Sequence, residues 1–280
     1  MKFYEDSKTS TYLQQFDSLR ELVKFTKEAP VASAFAGKSY LASAKTSDPK
    51  WSGTKTLEDA YDLLEHGCPD LAKKITTALK VKVSTTQAKQ LRKTVNDVCG
   101  FQANVPLFMV GVPTNMIQTK RVQQKQKVVT VIKPISASAA IKPQEIIDNG
   151  VACLQVVDAI EKAGYRVNLY LVEASKSGGR TCGMLVKVKS ANERMSVSKM
   201  AFCMAHPAML RRISFAWLER FKHVTSDFTW GYGHPVRDWD VEQMLKNAGI
   251  KDAYVLKSSL VKGVQQVKTA EEMVEKMGLK

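Results

Sequence analysis

Hydrophobic and polar residues alternate along the chain with two different periods, and these periods predict its elements. The most regular stretch is residues 127–190. Val and Ile run almost unbroken through residues 127–135, which predicts a strand buried on both faces, as in a parallel sheet. Apolar residues then recur at helical spacing from Ile146 to Ile160, and residues 165–172 form a second apolar run. A strand, a crossover helix and a parallel strand with a right-handed connection are therefore predicted.

A turn and a third strand are predicted directly afterwards. Gly178 and Gly179 allow the chain to reverse sharply, and residues 182–190 then alternate. Lys187 and Lys189 share one face of this strand, which is typical of a sheet edge that must not pair with other molecules. The predicted fold class is α/β, with a central, mostly parallel sheet and one antiparallel edge strand, preceded by a helical N-terminal region.

Helical periodicity dominates the chain before residue 104. Thr56 is a good N-cap, Asp59 has the spacing of a capping box, and Gly67 marks the end of that helix. The helices predicted here lie within residues 1–28, 57–66, 70–79 and 85–98. We therefore predict a mainly helical region over residues 1–104 and an α/β domain over residues 105–280, which can pack together as one unit.

The remaining segments complete the predicted outline. Residues 105–111 are apolar and predict a short strand or a buried extended segment, whereas residues 113–126 are polar and free of acids, as in a loop or arm. Helices are predicted over residues 196–206, 207–222, 239–248 and 270–277, and a strand over residues 253–256. The first two of these helices are strongly apolar, so they should cover one face of the sheet.

Length and cysteine content limit which classes of protein are possible. A chain of 280 residues can bury a full core as one large domain or two ordinary ones. No apolar run is long enough for a bilayer, and the N-terminus lacks a signal-peptide core, so a cytosolic protein without membrane association is expected. The five cysteines (68, 99, 153, 182 and 203) are scattered and predict buried thiols rather than disulfides.

The formal charge of +15 is unevenly distributed. Residues 71–142 contain thirteen Lys and Arg and one acid, Asp97, which gives this stretch a net +12. Such a field attracts polyanions, and nucleic acid is the predicted partner. The alternatives are an acidic protein or membrane surface and a solvated basic face. The basic residues are Lys73, Lys74, Lys80, Lys82, Lys89, Arg92, Lys93, Lys120, Arg121, Lys125, Lys127, Lys133 and Lys142.

A nucleic-acid interface is predicted from these cations together with a loop of aromatic residues and glycines at residues 227–237. Lys89, Arg92 and Lys93 fall within little more than one turn of a predicted helix, where they could reach successive phosphates. Aromatic rings between glycines can stack on bases, although they can equally close the core. The predicted interface consists of Lys73, Lys74, Lys82, Lys89, Arg92, Lys93, Lys120, Arg121, Lys125, Lys127, Arg211, Arg212, Trp230 and Tyr232.

Neither a catalytic site nor a metal or cofactor site is predicted. Gly37 opens a Gly-Lys-Ser sequence, but Ala32 stands where a phosphate loop needs its first glycine. Cys203 and His206 lie one helical turn apart without two further ligands at a recognisable spacing. The late carboxylates are explained as helix caps: Asp227, Asp238, Asp240 and Glu242. We therefore predict a binding protein and not an enzyme, with an enzyme of unrecognised type as a weaker alternative.

The element order of residues 127–222 resembles the von Willebrand factor A-type fold, a doubly wound sheet with one antiparallel edge strand. Metal-binding members of that family carry Asp-x-Ser-x-Ser after the first strand. Ser136 and Ser138 match the two serines, but Pro134 replaces the aspartate. The resemblance implies this fold without its metal site, because a major ligand is missing.

Several other segments resemble a family of uncharacterised bacteriophage proteins. They begin at Trp51 (WSGTKTLEDA), Leu64 (LEHG), Val157 (VDAIEKAGYRV) and His206 (HPAMLRR). The resemblance implies a phage origin, and thus action in the host cytoplasm. The predicted function is a phage-type nucleic-acid-binding accessory protein for single-stranded DNA or RNA, supporting replication or transcription. The alternative is a structural or assembly protein that docks onto an acidic protein partner of the phage or its host.

Overall fold

The computed structural model describes residues 1–38, 41–44, 49–80, 92–121, 127–138, 140–256, 258 and 275. The strands are β1 (Lys2–Asp6), β2 (Thr11–Phe16), β3 (Arg92–Asp97), β4 (Gln102–Ala103), β5 (Met116–Arg121), β6 (Val128–Pro134), β7 (Arg166–Ser177), β8 (Arg180–Lys189), β9 (His234–Pro235) and β10 (Ala253–Val255). The α-helices are α1 (Leu19–Glu28), α2 (Pro49–Ser52), α3 (Leu57–His66), α4 (Pro69–Ala78), α5 (Val105–Met109), α6 (Pro143–Lys162), α7 (Val197–Ala205), α8 (Phe215–Leu218) and α9 (Asp238–Asn247). The predicted helix at 270–277 lies, apart from Glu275, outside the described residues.

The main sheet has the strand order β1-β2-β8-β7-β6-β10, with β9 added to β7. β6 is parallel to both β7 and β10, and α6 connects β6 to β7. β8 returns antiparallel to β7 after the turn at Gly178 and Gly179, which both have positive φ. The predicted α/β class, the strand–helix–strand unit and the tight turn are confirmed.

The position predicted for the third strand is wrong. β8 is not an edge strand, because β2 pairs with it in parallel on its outer side, and β1 lies beyond β2. Lys189 is correspondingly buried, and its Nζ lies 2.6 Å from the Glu161 carboxylate. A register shift opposite Leu169 and Tyr170 separates the two lysines, so their pattern reflects a β-bulge rather than an exposed edge.

The start of the chain also differs from its prediction. Residues 2–16 form the β1–β2 hairpin, and the helix begins only at Leu19, with Ser18 as N-cap. The prediction of a helical region before the sheet is therefore wrong for residues 2–16. Helical spacing was a misleading signal because Phe16 is a strand residue whose ring packs tilted against that of Phe25, 5.5 Å away. β2 is buried on both faces, because Phe16 packs in the core beneath α6 and α7 and Leu13 packs in the core beneath α9, so it shows no simple alternation.

Helices cover both faces of the main sheet. α6 and α7 pack on one face together with α3 and α4, and α9 packs on the other. The first core contains Leu22 and Ile75 together with Leu154 and Trp217, so residues from both sides of the predicted boundary at 104/105 share it. α6 approaches α7 closely at Gly150, where a Cβ would lie 2.4 Å from the carbonyl oxygen of Met204.

A second, small sheet has the order β3-β5-β4. Three predictions fail here. Residues 92–97 form a strand instead of the end of a helix, residues 105–109 are helical instead of extended, and residues 116–121 form a strand within the predicted loop. Pro106 stands in the first turn of α5, where a proline is tolerated, and antiparallel pairing of β3 with β5 overrides the helical preference of residues 85–98. Residues 81–91 lie outside the described part of the chain.

The predicted start and end of α3 are confirmed. The Thr56 hydroxyl accepts from the Asp59 backbone N–H at 3.1 Å, and the Asp59 carboxylate accepts from the Thr56 backbone N–H at 2.9 Å. This hydrogen bond from Thr56 is the main reason why the pKa of Asp59 is lowered. Gly67 follows the helix with a φ of 86°.

We expect Thr56→Ala to lower the free energy of unfolding by about 1 kcal/mol, because the hydroxyl that receives the Asp59 N–H is lost. Chemical denaturation measures the change. Thr76→Ala is the control, because Thr76 is an exposed threonine inside α4, and this exchange should leave stability nearly unchanged or raise it. Equal effects of the two substitutions would contradict a role for the cap.

Candidate functional site

The exposed cations of the predicted interface lie on three elements. Lys73 and Lys74 are exposed on α4, Lys127 is exposed just before β6, and Lys93 and Lys120 are exposed on the small sheet. Lys82, Lys89 and Lys125 lie outside the described residues. None of the hydrogen bonds or ion pairs of the described residues joins these three elements. A common interface that faces one ligand therefore stays a prediction.

The small sheet brings four basic residues into direct register. Arg92 stands opposite Arg121, and Lys93 stands opposite Lys120, in the antiparallel pair of β3 and β5. Like charges directly opposite each other destabilise a sheet unless an anion lies between them. Asp97 forms an ion pair with Lys120, and the hydrogen bond from Lys120 is the main cause that lowers the pKa of Asp97. Asp97 is the only acid in residues 92–121, so this segment keeps a net positive charge.

Large apolar side chains are exposed on α5 and in the connections of the small sheet. Phe108 is 65% exposed and Met109 is 81% exposed, although both belong to residue types that are normally buried. The other exposed apolar residues within 98–110 are Val98, Phe101, Val105 and Val110. Their exposure is unusual for a monomeric soluble protein.

Arg212 is a correction to the predicted interface, because it is completely buried. Its guanidinium donates to the backbone carbonyls of Ala42, Ser43, Thr54 and Lys55 at 2.7–3.3 Å, and to the Thr54 hydroxyl at 3.2 Å. It therefore holds an irregular loop against the helical segment, and it cannot reach a phosphate. Lys133, one of the thirteen basic residues in 71–142, is likewise not exposed, because it is buried and donates to the Asn149 side chain at 2.6 Å.

Tyr232 is also more enclosed than predicted. Its hydroxyl donates to Glu219 at 2.5 Å and accepts from the backbone N–H of Ala42 at 2.8 Å. Its ring stacks on Phe215 with centroids 4.2 Å apart. Tyr232 thus packs between the loop at Ala42 and helix α8, whereas Trp230 is 85% exposed and remains open to a stacking partner.

A cavity of about 270 Å³ lies beside Trp230, at the carboxyl end of β6. The residues after β6, the end of β7, the helical segment Met209–Ser214 and the loop before β9 line it. β6 is the strand at which the sheet order reverses, because α6 leads from it to β7 on one side while β10 joins it on the other. Crevices at the carboxyl ends of such strands are the usual ligand sites of open α/β sheets. Its lining residues are Ser136, Ala137, Ser138, Glu173, Ser175, Leu210, Arg211, Phe215, Trp230, Gly231, Tyr232, Gly233, His234 and Pro235.

Glu173 is the most unusual group in this cavity. The residue is only 2% exposed, and one carboxyl oxygen accepts from the Ser175 hydroxyl. The other oxygen, Oε2, has no hydrogen-bond partner among the described residues. Burial raises the pKa of Glu173 to about 7, and the hydrogen bond from Ser175 lowers it only in part. An acid with this environment in a crevice indicates a functional site.

Arg211 faces the same cavity with its guanidinium held by aromatic rings. The guanidinium carbon lies 4.4 Å from the centre of the Trp51 ring and 5.1 Å from that of Phe215. Burial lowers its pKa, yet a guanidinium stays charged in a protein. No hydrogen bond or ion pair joins it to any part of the chain that the structure describes. Its N–H groups are therefore available to a ligand.

The cavity and Lys127 lie at opposite ends of the main sheet. Lys127 precedes β6 and its carbonyl accepts from Arg166 at the start of β7, whereas Ile135 follows β6 and donates to Val172. Seven strand residues separate the two ends, which corresponds to roughly 20 Å. The predicted residues Arg211 and Trp230 thus form a site separate from Lys127.

Sequence reasoning missed Glu173, although the chain contains a signal for it. A single acid within the apolar run Leu171, Val172 and Ala174 of a central strand is rarely buried without a purpose. The helical segment that carries Arg211 has π-type geometry, which is frequent at functional sites but has no sequence signature in this chain.

The Glu173 carboxyl makes a specific contribution to pH dependence. Its pKa is higher in the folded protein than in the unfolded chain, so the stability that its proton brings is present at low pH and is lost as pH rises through about 7. We expect the wild type to lose on the order of 2–3 kcal/mol relative to Glu173→Gln between pH 5 and pH 8. Urea denaturation of both proteins across this range measures the difference.

The contribution of His206 to the pH dependence of stability has the opposite sign, and it provides an internal check. Burial lowers its pKa to about 4, so its contribution falls as pH drops below its unfolded pKa. His206 is present in both proteins, so its contribution cancels from the difference between them. In the pH curve of Glu173→Gln by itself, the free energy of unfolding should rise between pH 4 and pH 6.5. A difference between the proteins that does not vary with pH would contradict the raised pKa of Glu173.

No described group of three or more His, Cys, Asp or Glu side chains is placed to hold a metal ion. The Ser136 hydroxyl is occupied within the protein, because it accepts from the Ala174 N–H and donates to the Ala174 carbonyl.

No helix in the described ranges is both long and apolar enough to cross a membrane.

Comparison with known proteins gives one match. The sequence profile of a domain of unknown function, DUF7192, matches residues 5–280. No curated protein and no solved structure matches the chain.

Proposed function

The chain belongs to the DUF7192 family, and from its geometry we propose that it is a nucleic-acid-binding accessory protein. It would hold single-stranded DNA or RNA in support of replication or transcription. The observation that carries the proposal is the register of the small sheet, in which Arg92 faces Arg121 and Lys93 faces Lys120. Asp97 pairs with Lys120, and a phosphate backbone would supply further anions to this basic sheet.

The affinity of the chain for a single-stranded oligonucleotide tests the proposal. Fluorescence anisotropy should show binding that weakens steeply between about 50 and 200 mM salt, since each neutralised phosphate adds roughly 0.7 to the slope of log affinity against log salt for single strands. Binding that does not change with salt, or no binding at 50 mM salt, would reject nucleic acid as the partner.

A second candidate function is docking onto a protein partner, and the exposed apolar residues of α5 favour it. Phe108→Ser with Met109→Ser should abolish capture of such a partner after nuclease treatment while the salt-dependent oligonucleotide binding persists. If the variant instead loses only nucleic-acid binding, the apolar side chains belong to the nucleic-acid interface.

The finer fold assignment and the origin are proposals as well. A von Willebrand factor A-type arrangement is supported by the order β8-β7-β6-β10, in which the first strand of the unit is central. Pro134 in place of the aspartate and the added β1–β2 hairpin are departures from that pattern. A bacteriophage origin, and hence action in the host cytoplasm, rests on the sequence segments that begin at Trp51, Leu64, Val157 and His206.

A further inference from the structure

The cavity at the carboxyl end of β6 combines three unused groups of different chemistry. Glu173 offers a buried oxygen without a partner, Arg211 offers a guanidinium without a hydrogen bond among the described residues, and Trp230 offers an open ring. We propose that this cavity binds a nucleotide, with the phosphate at Arg211, the base against Trp230 and the amino group of the base at Glu173.

The two polar groups determine which ends of the ligand fit. A guanidinium fixed by two aromatic rings can present its N–H groups to phosphate in a set geometry and loses little entropy on binding. The free oxygen of Glu173 accepts a hydrogen bond when the carboxylate is ionised, and an exocyclic amino group is the matching donor on a base edge. A ligand with an anionic group and a hydrogen-bond donor satisfies both.

The walls determine what lies between those ends. Trp230 is exposed, and Lys38 lies over its ring at 5.6 Å, which leaves the other face for a flat partner. A base has such a face, and base–aromatic stacking tolerates every base. The cavity of about 270 Å³ is near the lower limit of small-molecule sites, roughly 300 Å³, so it suits one nucleotide rather than a segment of a strand.

The nucleotide has two possible sources: a free mononucleotide, or an unpaired nucleotide within a strand. In the second case the inference rests on the proposed function. Position separates the two sites, because the exposed lysines of the small sheet do not line this cavity. Their substitutions therefore test the strand contact without altering the nucleotide site.

The experiment compares CMP with UMP, which differ at the position where cytosine has an amino group and uracil a carbonyl oxygen. Calorimetric titration at pH 8, above the pKa of about 7, keeps Glu173 mainly ionised. We expect CMP to bind at least about tenfold more tightly than UMP, because the uracil oxygen would face a carboxylate. Glu173→Gln should bring the ratio close to one, since an amide can both donate and accept.

Arg211→Gln is the matched variant for the phosphate. In the wild type CMP should bind more tightly than cytidine, which lacks the phosphate. Arg211→Gln should remove this difference and weaken CMP and UMP equally, while the ratio of CMP to UMP stays as in the wild type. Thermal unfolding at pH 8 checks that both variants are folded. Absence of CMP binding to the wild type at millimolar concentration, or a ratio that Glu173→Gln leaves unchanged, would overturn the proposal.

Oligonucleotides identify the source and keep the two proposals apart. If an oligocytidylate displaces CMP and loses affinity in Arg211→Gln, the cavity takes a nucleotide of a strand. If CMP binds but the oligonucleotide neither binds nor displaces it, the cavity serves free nucleotides and the proposed function fails alone. If the oligonucleotide binds with salt dependence and CMP does not bind, the nucleotide inference fails alone.

Discussion

Replacing Arg212 by methionine is expected to lower the free energy of unfolding by about 3–5 kcal/mol, a larger loss than that expected for the Thr56 cap. The guanidinium is fully buried and donates to four backbone carbonyls, two from residues 42 and 43 and two from residues 54 and 55. Methionine fills part of the volume but leaves these carbonyls without donors, and buried carbonyls without partners are costly. Urea denaturation at pH 7 measures the loss.

Two variants sharpen this test. Arg212→Lys keeps the charge but has one ammonium where the native side chain has a planar fork of five N–H donors, so we still expect a substantial loss. Arg20→Met removes an exposed arginine from α1 and should change stability by no more than about 0.5 kcal/mol. A stability of Arg212→Met within about 1 kcal/mol of the wild type would show that the loop does not depend on this side chain.

Replacing Lys93 and Lys120 together by glutamate is expected to reduce the affinity for a single-stranded oligonucleotide by about ten- to a hundredfold at 0.1 M salt. The exchange turns one of the two basic cross-strand pairs into an acidic pair in a segment, residues 92–121, that has Asp97 as its only acid. It should also reduce the slope of log affinity against log salt by roughly 1–1.5, since two phosphate contacts are lost. Anisotropy titrations at four salt concentrations give both quantities.

Lys246→Glu with Lys251→Glu is the control for net charge. Lys246 is exposed in the last turn of α9 and Lys251 is exposed four residues after the helix ends, and α9 lies on the opposite face of the main sheet from α6 and α7. Their exchange changes the charge of the protein by the same amount. This control should keep most of the affinity, because it removes long-range attraction only. Equal losses in the two double variants would mean that binding follows total charge and not the small sheet.

The exchange at Lys120 also breaks its ion pair with Asp97, and circular dichroism must confirm that the small sheet persists. An exposed ion pair contributes at most about 1 kcal/mol, so the fold should survive. Lys93→Glu alone leaves the ion pair intact and should give a smaller loss of affinity in the same direction.

The sequence by itself determined the elements whose signals are local. The β6–α6–β7 unit, the turn at Gly178 and the capping box of Thr56 all follow from residues that lie next to each other or one helical turn apart, and the structure confirms them. The excess of cations in residues 71–142 is also a property of composition, and it persists as exposed lysines on α4 and the small sheet.

Only the tertiary structure decided which strand lies at the edge, which arginine is buried and where a ligand can enter. β2 pairs with β8 across 170 positions of the chain, and Arg212 finds its acceptors about 160–170 positions away. Periodicity reports how buried a segment is but not which partner buries it. Arg211 and Arg212 are adjacent and identical in type, yet packing places one beside a cavity and the other in the core. Arg212 finds backbone acceptors there, whereas Arg211 lies against the rings of Trp51 and Phe215.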